Sequence, residues 1–213
     1  MKRFSVKVCG LTRPKDAALS TGLGADMIGM IFYRKSPRWV SQQQALKIVS
    51  AVSPTVSRVG VFVNRDIEGV LKVARRLRLD YVQLHSGFSN NDIKFVQREG
   101  FKVIEAFHIR ARTDYESAMS SKADLILLDN ATAAVPGGTG QCFDWSHKPP
   151  RRIPNLVLAG GIDVHNVEQG INRFAPLVVD VNSGVESSPG IKSDSKLRRF
   201  FTLCNRLRYG RQE

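Results

Sequence analysis

The sequence predicts a single-domain (β/α)8 barrel, an α/β fold, spanning residues 1–213. Eight short apolar runs recur along the chain, helical patterns lie between most of them, and polar or glycine residues follow the runs. Nearly continuous apolar runs are typical of parallel strands buried on both faces. An open doubly wound sheet is the alternative, but eight strand–helix units favour a closed barrel.

The predicted strands are short and rich in valine, isoleucine and leucine. They are Ser5–Val8, Met27–Phe32, Arg58–Phe62, Tyr81–Leu84, Val103–Ala106, Leu125–Leu128, Leu156–Ala159 and Val178–Val181.

Helices between the strands are predicted from caps and from apolar spacing. Ser41, with Gln44 three residues later, has the spacing of a capping box. The stretches "DIEGVLKVARRL" and "DVHNVEQGINRF" each place apolar residues on one helical face, from Ile67 and from Val164. A last helix after Ser193 turns Cys204 towards the core and its arginines to the opposite face.

One unit lacks its helix. Between Asp129 and Asn155 the sequence shows no helical pattern, only a long segment that contains "GGTG". A loop of this length inside a compact domain indicates either a functional loop or a wrong assignment, and the glycines favour a functional loop.

Composition indicates the cellular compartment and the class of partners of the protein. No apolar run reaches the roughly 18 residues that cross a bilayer, and the N-terminus lacks the apolar stretch of a signal peptide. The three cysteines form no metal-like spacing, which favours a reducing compartment, so we expect a cytoplasmic protein without a membrane partner. The net charge of +13 is compatible with nucleic-acid binding, but no aromatic-interleaved or zinc motif accompanies it, and a solvated basic surface is the interpretation we adopt.

In a barrel, the residues that follow the strands form the active site. Cys9 follows the first predicted strand, and Lys7 shares its strand parity at about 6.5–7 Å along the chain, where a cation would favour a thiolate. Asp129 ends "LILLD" as either a turn cap or a reactive carboxylate. Asp180, within an apolar strand, requires a donor partner.

Further candidates are substrate contacts. The planar guanidinium fork of Arg38 suits a carboxylate. At His85, a hydrogen-bonded core histidine and a substrate contact both remain open. Glycine lets backbone N–H groups approach a phosphate closely, and glycine-rich stretches follow strands seven and eight, where barrel phosphate sites are built. The candidate phosphate stretches are "PGGTG" (136–140), "AGGID" (159–163) and "NSGVESSPG" (182–190), of which the last two follow strands seven and eight.

Ordered motifs from Lys7 to about Lys196 make the chain resemble the phosphoribosylanthranilate isomerase family. These are "KVCGLT", "GADMIGMIF" with "SPRWV", "VGVFVN", "DYVQLH", "LLD", "PGGTGQCFDW", "LAGGI" and "VDVNSGVESSPGIKS". The chain departs from the usual pattern at Asn182, Gln141 and Ser86.

The resemblance implies an Amadori rearrangement of a phosphorylated small molecule, in tryptophan biosynthesis, without metal or cofactor. It implies that Asp129 is the general acid and Cys9 the general base. It further implies that Arg38 holds the anthranilate carboxylate and that Asp180 lies beside the anthranilate amine. The residues that it implies for binding the phosphate are Gly138, Gly160, Gly161, Ser183 and Gly184. We expect a monomer or a homodimer.

Two other interpretations stay open on the residues. One is a related barrel, either the histidine-pathway sugar-phosphate isomerase, with an aspartate where this chain has Cys9, or indole-glycerol-phosphate synthase, which relies on lysines at strand ends. The other is a degenerate barrel that binds anions or nucleic acid, although filled acid and base positions speak against it.

Overall fold

The computed structural model describes residues 4–63, 66–85, 87–109, 112–130 and 149–210. Eight parallel strands close into a barrel in chain order, which confirms the predicted fold class. They are β1 (Ser5–Val8), β2 (Met27–Ile31), β3 (Ser57–Val63), β4 (Tyr81–His85), β5 (Lys102–Ile109), β6 (Leu125–Asn130), β7 (Leu156–Leu158) and β8 (Val178–Val181). The barrel closes by pairing of β8 with β1.

Helices connect most of the strands. They are α1 (Pro14–Gly22), α2 (Gln42–Ser50), α3 (Ile67–Leu77), α4 (Asn90–Arg98), α5 (Arg112–Ser120), α6 (Val167–Phe174) and α7 (Asp194–Tyr209). After β8 come a 3-10 turn (Ser183–Val185) and a hairpin of β9 (Glu186–Ser188) with β10 (Ile191–Lys192). Most of the predicted helix-free segment, residues 131–148, lies outside the described residues. None of the helices in the described ranges has the length and apolar content that crossing a membrane requires.

The core has two main layers. The larger one packs the outer faces of the strands against the helices. The smaller one fills the barrel from inside, with alternate residues of the strands such as Met27, Val59, Ile104 and Leu125. These side chains fill the barrel interior, so a ligand can bind only outside this filled part of the barrel.

Three local predictions need correction. Ser41 caps α2 by accepting the Gln44 N–H, but the Gln44 side chain donates to the Thr12 carbonyl instead of closing a capping box. Val164 precedes α6 rather than lying on it. On α7, Cys204 is buried as predicted, yet one arginine, Arg208, is buried as well.

Arg208 is buried because it has partners at the bottom of the barrel. Its guanidinium pairs with Asp26, just before β2, and lies over the ring of Phe4, before β1. The arginine thereby ties the end of α7 to the N-terminal end of the strands, opposite to the site.

Candidate active site

Cys9 directly follows β1 and faces the barrel interior. Its backbone N–H donates to the Val181 carbonyl at 2.9 Å, and its side chain packs with Ile31 and Val61 at 5% exposure. Gly29 on β2 makes room for the thiol, because a Cβ there would lie 2.8 Å from Cys9 Sγ. The end of β1 thus presents a sulfur atom at the top of the packed interior.

The glycine after Cys9 is required on two grounds. Gly10 has φ +69°, a conformation that other residues rarely adopt. A Cβ there would also lie 2.5 Å from Asn182 Oδ1 and 2.7 Å from Arg38 Cδ. The Cys-Gly pair therefore brings the loops after β1, β2 and β8 together.

Beneath Cys9 lies a fully buried ammonium group. Lys7 Nζ donates to Asp180 Oδ2 at 2.6 Å and to Gln83 Oε1 at 2.8 Å. The barrel closure dictates the first contact, because Lys7 and Asp180 are register partners on β1 and β8. Asp180 thus has the donor that the sequence demanded, but its other oxygen, Oδ1, is buried without a hydrogen-bond partner in the described part of the chain.

Burial and Lys7 act in opposite directions on Cys9 and Asp180. Burial raises the pKa of the Cys9 thiol above its ordinary value, and the charge and side-chain interaction of Lys7 oppose that rise. Burial also raises the pKa of the Asp180 carboxyl, again against the charge of Lys7. Burial is the largest single influence on Lys7 and would lower its pKa, but the charges and side-chain interactions of Asp180 and Cys9 together raise that pKa above its ordinary value. The ammonium is therefore a permanent charge of the site.

His85 is both a hydrogen-bonded core histidine and a polar group of the site. Gln83 accepts from Lys7 through Oε1, so its amide nitrogen donates to His85 Nε2 at 2.7 Å. Burial, with the nearby His108 and Lys7, lowers the pKa of His85 to about 3. The ring is thus neutral with its proton on Nδ1, and that buried nitrogen has no partner among the described residues.

Asp129 lies near the end of β6, on the same strand face as Leu125 and Leu127, which fill the interior. Its register partner on β5 is His108. In the closed barrel β6 is three strands from β1 by way of β7 and β8. The carboxyl group and the thiol therefore reach the mouth of the barrel from nearly opposite sides.

Arg38, in the loop after β2, has a carboxylate partner within the protein, Glu186, which was not predicted from the sequence. Its Nε donates to Glu186 Oε1 at 3.0 Å and its Nη2 to Oε2 at 2.7 Å, at 2% exposure. One edge of the guanidinium fork is thus bound within the protein, and this fixes the orientation of the group.

Glu186 also accepts from Lys192 Nζ at 3.0 Å. Burial alone would raise the pKa of Glu186, but Arg38 and Lys192 lower it below its usual value. Glu186, Lys192 and Gln83 are polar residues of the site that were not predicted. The signal for Glu186 was its place in "SGVE", a carboxylate close to the end of an apolar strand.

The loops after β7 and β8 form a glycine-lined cavity of about 280 Å³. Its walls include three of the predicted phosphate residues, Gly161, Ser183 and Gly184, together with Lys196 and Arg199. A Cβ on Gly184 would lie 2.1 Å from the Ile162 carbonyl oxygen, so only glycine permits this approach. Gly160 has φ +81° at the end of β7, and Gly138 lies outside the described residues.

Fold and site together define a class: a (β/α)8-barrel enzyme with a cysteine and an aspartate at the C-terminal ends of its strands. The family model for N-(5'-phosphoribosyl)anthranilate (PRA) isomerase matches residues 6–203. The chain therefore belongs to the phosphoribosylanthranilate isomerase family.

Similar proteins agree with this assignment. The N-(5'-phosphoribosyl)anthranilate isomerase of Stutzerimonas stutzeri is 42% identical over 196 residues, covering 91% of this chain and 93% of the relative. The crystal structure of phosphoribosyl anthranilate isomerase from Thermotoga maritima has a TM-score of 0.88 at 38% identity, covering 95% and 98% of the two chains. A further isomerase structure, in complex with reduced 1-(o-carboxyphenylamino)-1-deoxyribulose 5-phosphate, has a TM-score of 0.82 at 37% identity, covering 93% and 97%.

Proposed function

We propose that this protein isomerises N-(5'-phosphoribosyl)anthranilate to 1-(2-carboxyphenylamino)-1-deoxyribulose 5-phosphate in L-tryptophan biosynthesis. The family membership supports the reaction. The solved relative with a reduced form of this ribulose phosphate supports the ligand class.

In the proposed reaction, Asp129 and Cys9 move the protons. Asp129 donates a proton to the ring oxygen of the ribose, and the sugar opens to a Schiff base at C1. The Cys9 thiolate then takes the proton from C2, which gives an enolamine, and protonation at C1 during tautomerisation yields the aminoketone. The chemistry requires an acid and a base on different sides of one sugar.

The remaining site residues fit the two ends of such a substrate. The buried Asp180 Oδ1 is an acceptor suited to the anthranilate N–H. Arg38 lies in the neighbouring loop with its orientation fixed by Glu186, and we propose that it binds the anthranilate carboxylate. We propose that the phosphate binds to the glycine-lined cavity after β7 and β8, at Gly160, Gly161, Ser183, Gly184 and the more distant Gly138.

One observation carries the proposal: Cys9 and Asp129 lie at the C-terminal ends of β1 and β6, which stand on nearly opposite sides of the mouth of a closed barrel. A sugar held between these two strands would have its ring oxygen and its C2 hydrogen within reach of different groups. A barrel that only bound anions would not need both.

The test is the change in anthranilate fluorescence when the purified protein is given freshly made phosphoribosylanthranilate. The control is the double variant Cys9→Ser, Asp129→Asn, purified in the same way, which reports spontaneous decay of the substrate and any host isomerase. We expect catalysed conversion by the natural chain alone. Equal rates for the two proteins would overturn the proposal.

Further proposals concern the cellular location, the oligomeric state and the partners of the protein. We propose a cytoplasmic enzyme that acts as a monomer or a homodimer and has no nucleic-acid partner. Cys204, buried and unpaired, and Cys9, also a free thiol, are compatible with a reducing compartment. The phosphoribosylanthranilate isomerase of Thermotoga maritima is described as dimeric.

A further inference from the structure

We propose that Lys7 is a positioning residue that stabilises the Cys9 thiolate, and that Asp180 competes with Cys9 for the charge of Lys7. The inference rests on the proposed function only for the role of Cys9 as the base. It concerns the residues below the thiol rather than those that touch the substrate.

The geometry assigns Lys7 to this role. A lysine side chain is almost never completely buried unless its ammonium group is paired, and Lys7 has no exposed surface. An ammonium group has three hydrogens to donate. Two go to Asp180 Oδ2 and Gln83 Oε1. Cys9 lies two residues further along the chain on the same face of the strand, and the charge of Lys7 acts to lower the pKa of its thiol.

Two acidic groups thus share one cation. In the free protein Asp180 Oδ2 contacts the ammonium group at 2.6 Å, and the negative charge of Asp180 disfavours a second anion on Cys9. A ligand that donates a hydrogen bond to Asp180 Oδ1 would satisfy that carboxylate from its other side. A cationic Schiff-base nitrogen there would neutralise it, which leaves more of the Lys7 charge to the thiolate.

Other groups around Cys9 do not replace Lys7. Lys192, from β10, also lowers the pKa of Cys9, but its ammonium is bonded to Glu186 and Asn182. Tyr33 packs against the cluster of Cys9, Ile31 and Val61 from the loop after β2. Among the described residues, the other side chains of that cluster are apolar. Lys7 is the cation on the strand of Cys9 itself, and its charge lowers the pKa of the thiol more than that of Lys192 does.

The test measures how the alkylation of Cys9 by iodoacetamide depends on pH, since only the thiolate reacts. The Cys9 peptide is quantified by mass spectrometry, because Cys142 and Cys204 also carry thiols. The compared variants are Asp180→Asn and the double variant Lys7→Met, Asp180→Asn. The two variants differ only at residue 7, where the charged lysine is either present or replaced. Both lack the Asp180 carboxylate, so neither contains a buried carboxylate that has lost its cation.

We expect Asp180→Asn to move the alkylation midpoint to lower pH than in the natural protein. Removing the charge of residue 7 in the double variant should raise the alkylation midpoint again by about one to three pH units, the size of shift that a close opposite charge produces. Coinciding midpoints for the single and double variants would overturn the role of Lys7. A midpoint raised by Asp180→Asn would overturn the competition.

The matched control removes a buried cation at the other end of the barrel. Arg208→Met should lower the melting temperature and leave the Cys9 midpoint unchanged. An equal shift in this control would show that the effect is a general loosening of the fold and would overturn the inference. The alkylation needs no substrate, so its outcome is separate from that of the isomerase assay.

Discussion

The ring of His85 is neutral because its Nε2 accepts a hydrogen bond and its surroundings are buried and positively charged. Its pKa of about 3 in the folded protein lies below the value of about 6.5 expected for the unfolded chain. Between these two values the unfolded state binds one more proton at this residue. The free energy of unfolding therefore falls as the pH drops through this range.

The corresponding prediction compares the natural protein with His85→Asn, which has no titrating group there. Urea unfolding at about pH 7 and about pH 4 should show a larger loss of stability in the natural protein. The other acidic groups contribute equally to both proteins and cancel in the comparison. Identical pH dependence in the two proteins would contradict a neutral, buried His85.

At the scale of elements, the β9–β10 hairpin, which follows β8, fixes the loop after β2, two strands away in the closed barrel. Glu186 on β9 holds Arg38, and Lys192 on β10 holds Glu186. All three side chains are buried, so the removal of one charge leaves another without its partner. The hairpin thus orients the guanidinium that is proposed to bind the anthranilate carboxylate.

We predict that Glu186→Gln raises KM about tenfold or more and changes kcat much less, because it loosens Arg38 without touching the acid or the base. Arg38→Ala should act in the same direction. The control is Asp194→Asn on α7, which breaks an exposed pair with Arg198 and should change neither KM nor the melting temperature. An unchanged KM in Glu186→Gln would remove the hairpin from substrate binding.

Most elements could be predicted because their patterns are local. The runs of β1 and β8 were predicted with the same bounds that the structure has. β5 extends to Ile109, beyond the predicted end of the strand at Ala106. The prediction stopped early because the end of β5 mixes polar with apolar residues and does not form an apolar run. α6 starts late because Asp163 Oδ1 accepts the N–H groups of His165 and Asn166, a local turn that competes with the helix.

The site could be predicted only in part. Strand ends revealed Cys9 and Asp129 as candidates, since position after a strand is a local property of the sequence. The contacts of Lys7 with Gln83 and of Arg38 with Glu186 join residues 76 and 148 positions apart. The alternation of side chains along a strand predicts that Lys7 and Gln83 point into the barrel. Which side chains come into contact depends on how the closed barrel arranges its strands and loops.

At the scale of the whole molecule, barrel closure builds the site. Pairing of β8 with β1 places Asp180 beside Lys7, and the parallel order of all eight strands brings their C-terminal ends to one face. Cys9 after β1 and Asp129 on β6, the proposed base and acid, then flank a single opening, with the glycine-lined cavity after β7 and β8 between them. We propose that these two groups act in one reaction.

The most direct test of that claim is the kcat of Cys9→Ser and of Asp129→Asn with phosphoribosylanthranilate, measured beside Cys204→Ser, the matched change at the buried cysteine of α7. Each of the first two changes should lower kcat by about 10²–10⁴-fold, the usual contribution of a general acid or base, whereas Cys204→Ser should keep the natural turnover once folded. Near-natural turnover in either Cys9→Ser or Asp129→Asn would contradict the account.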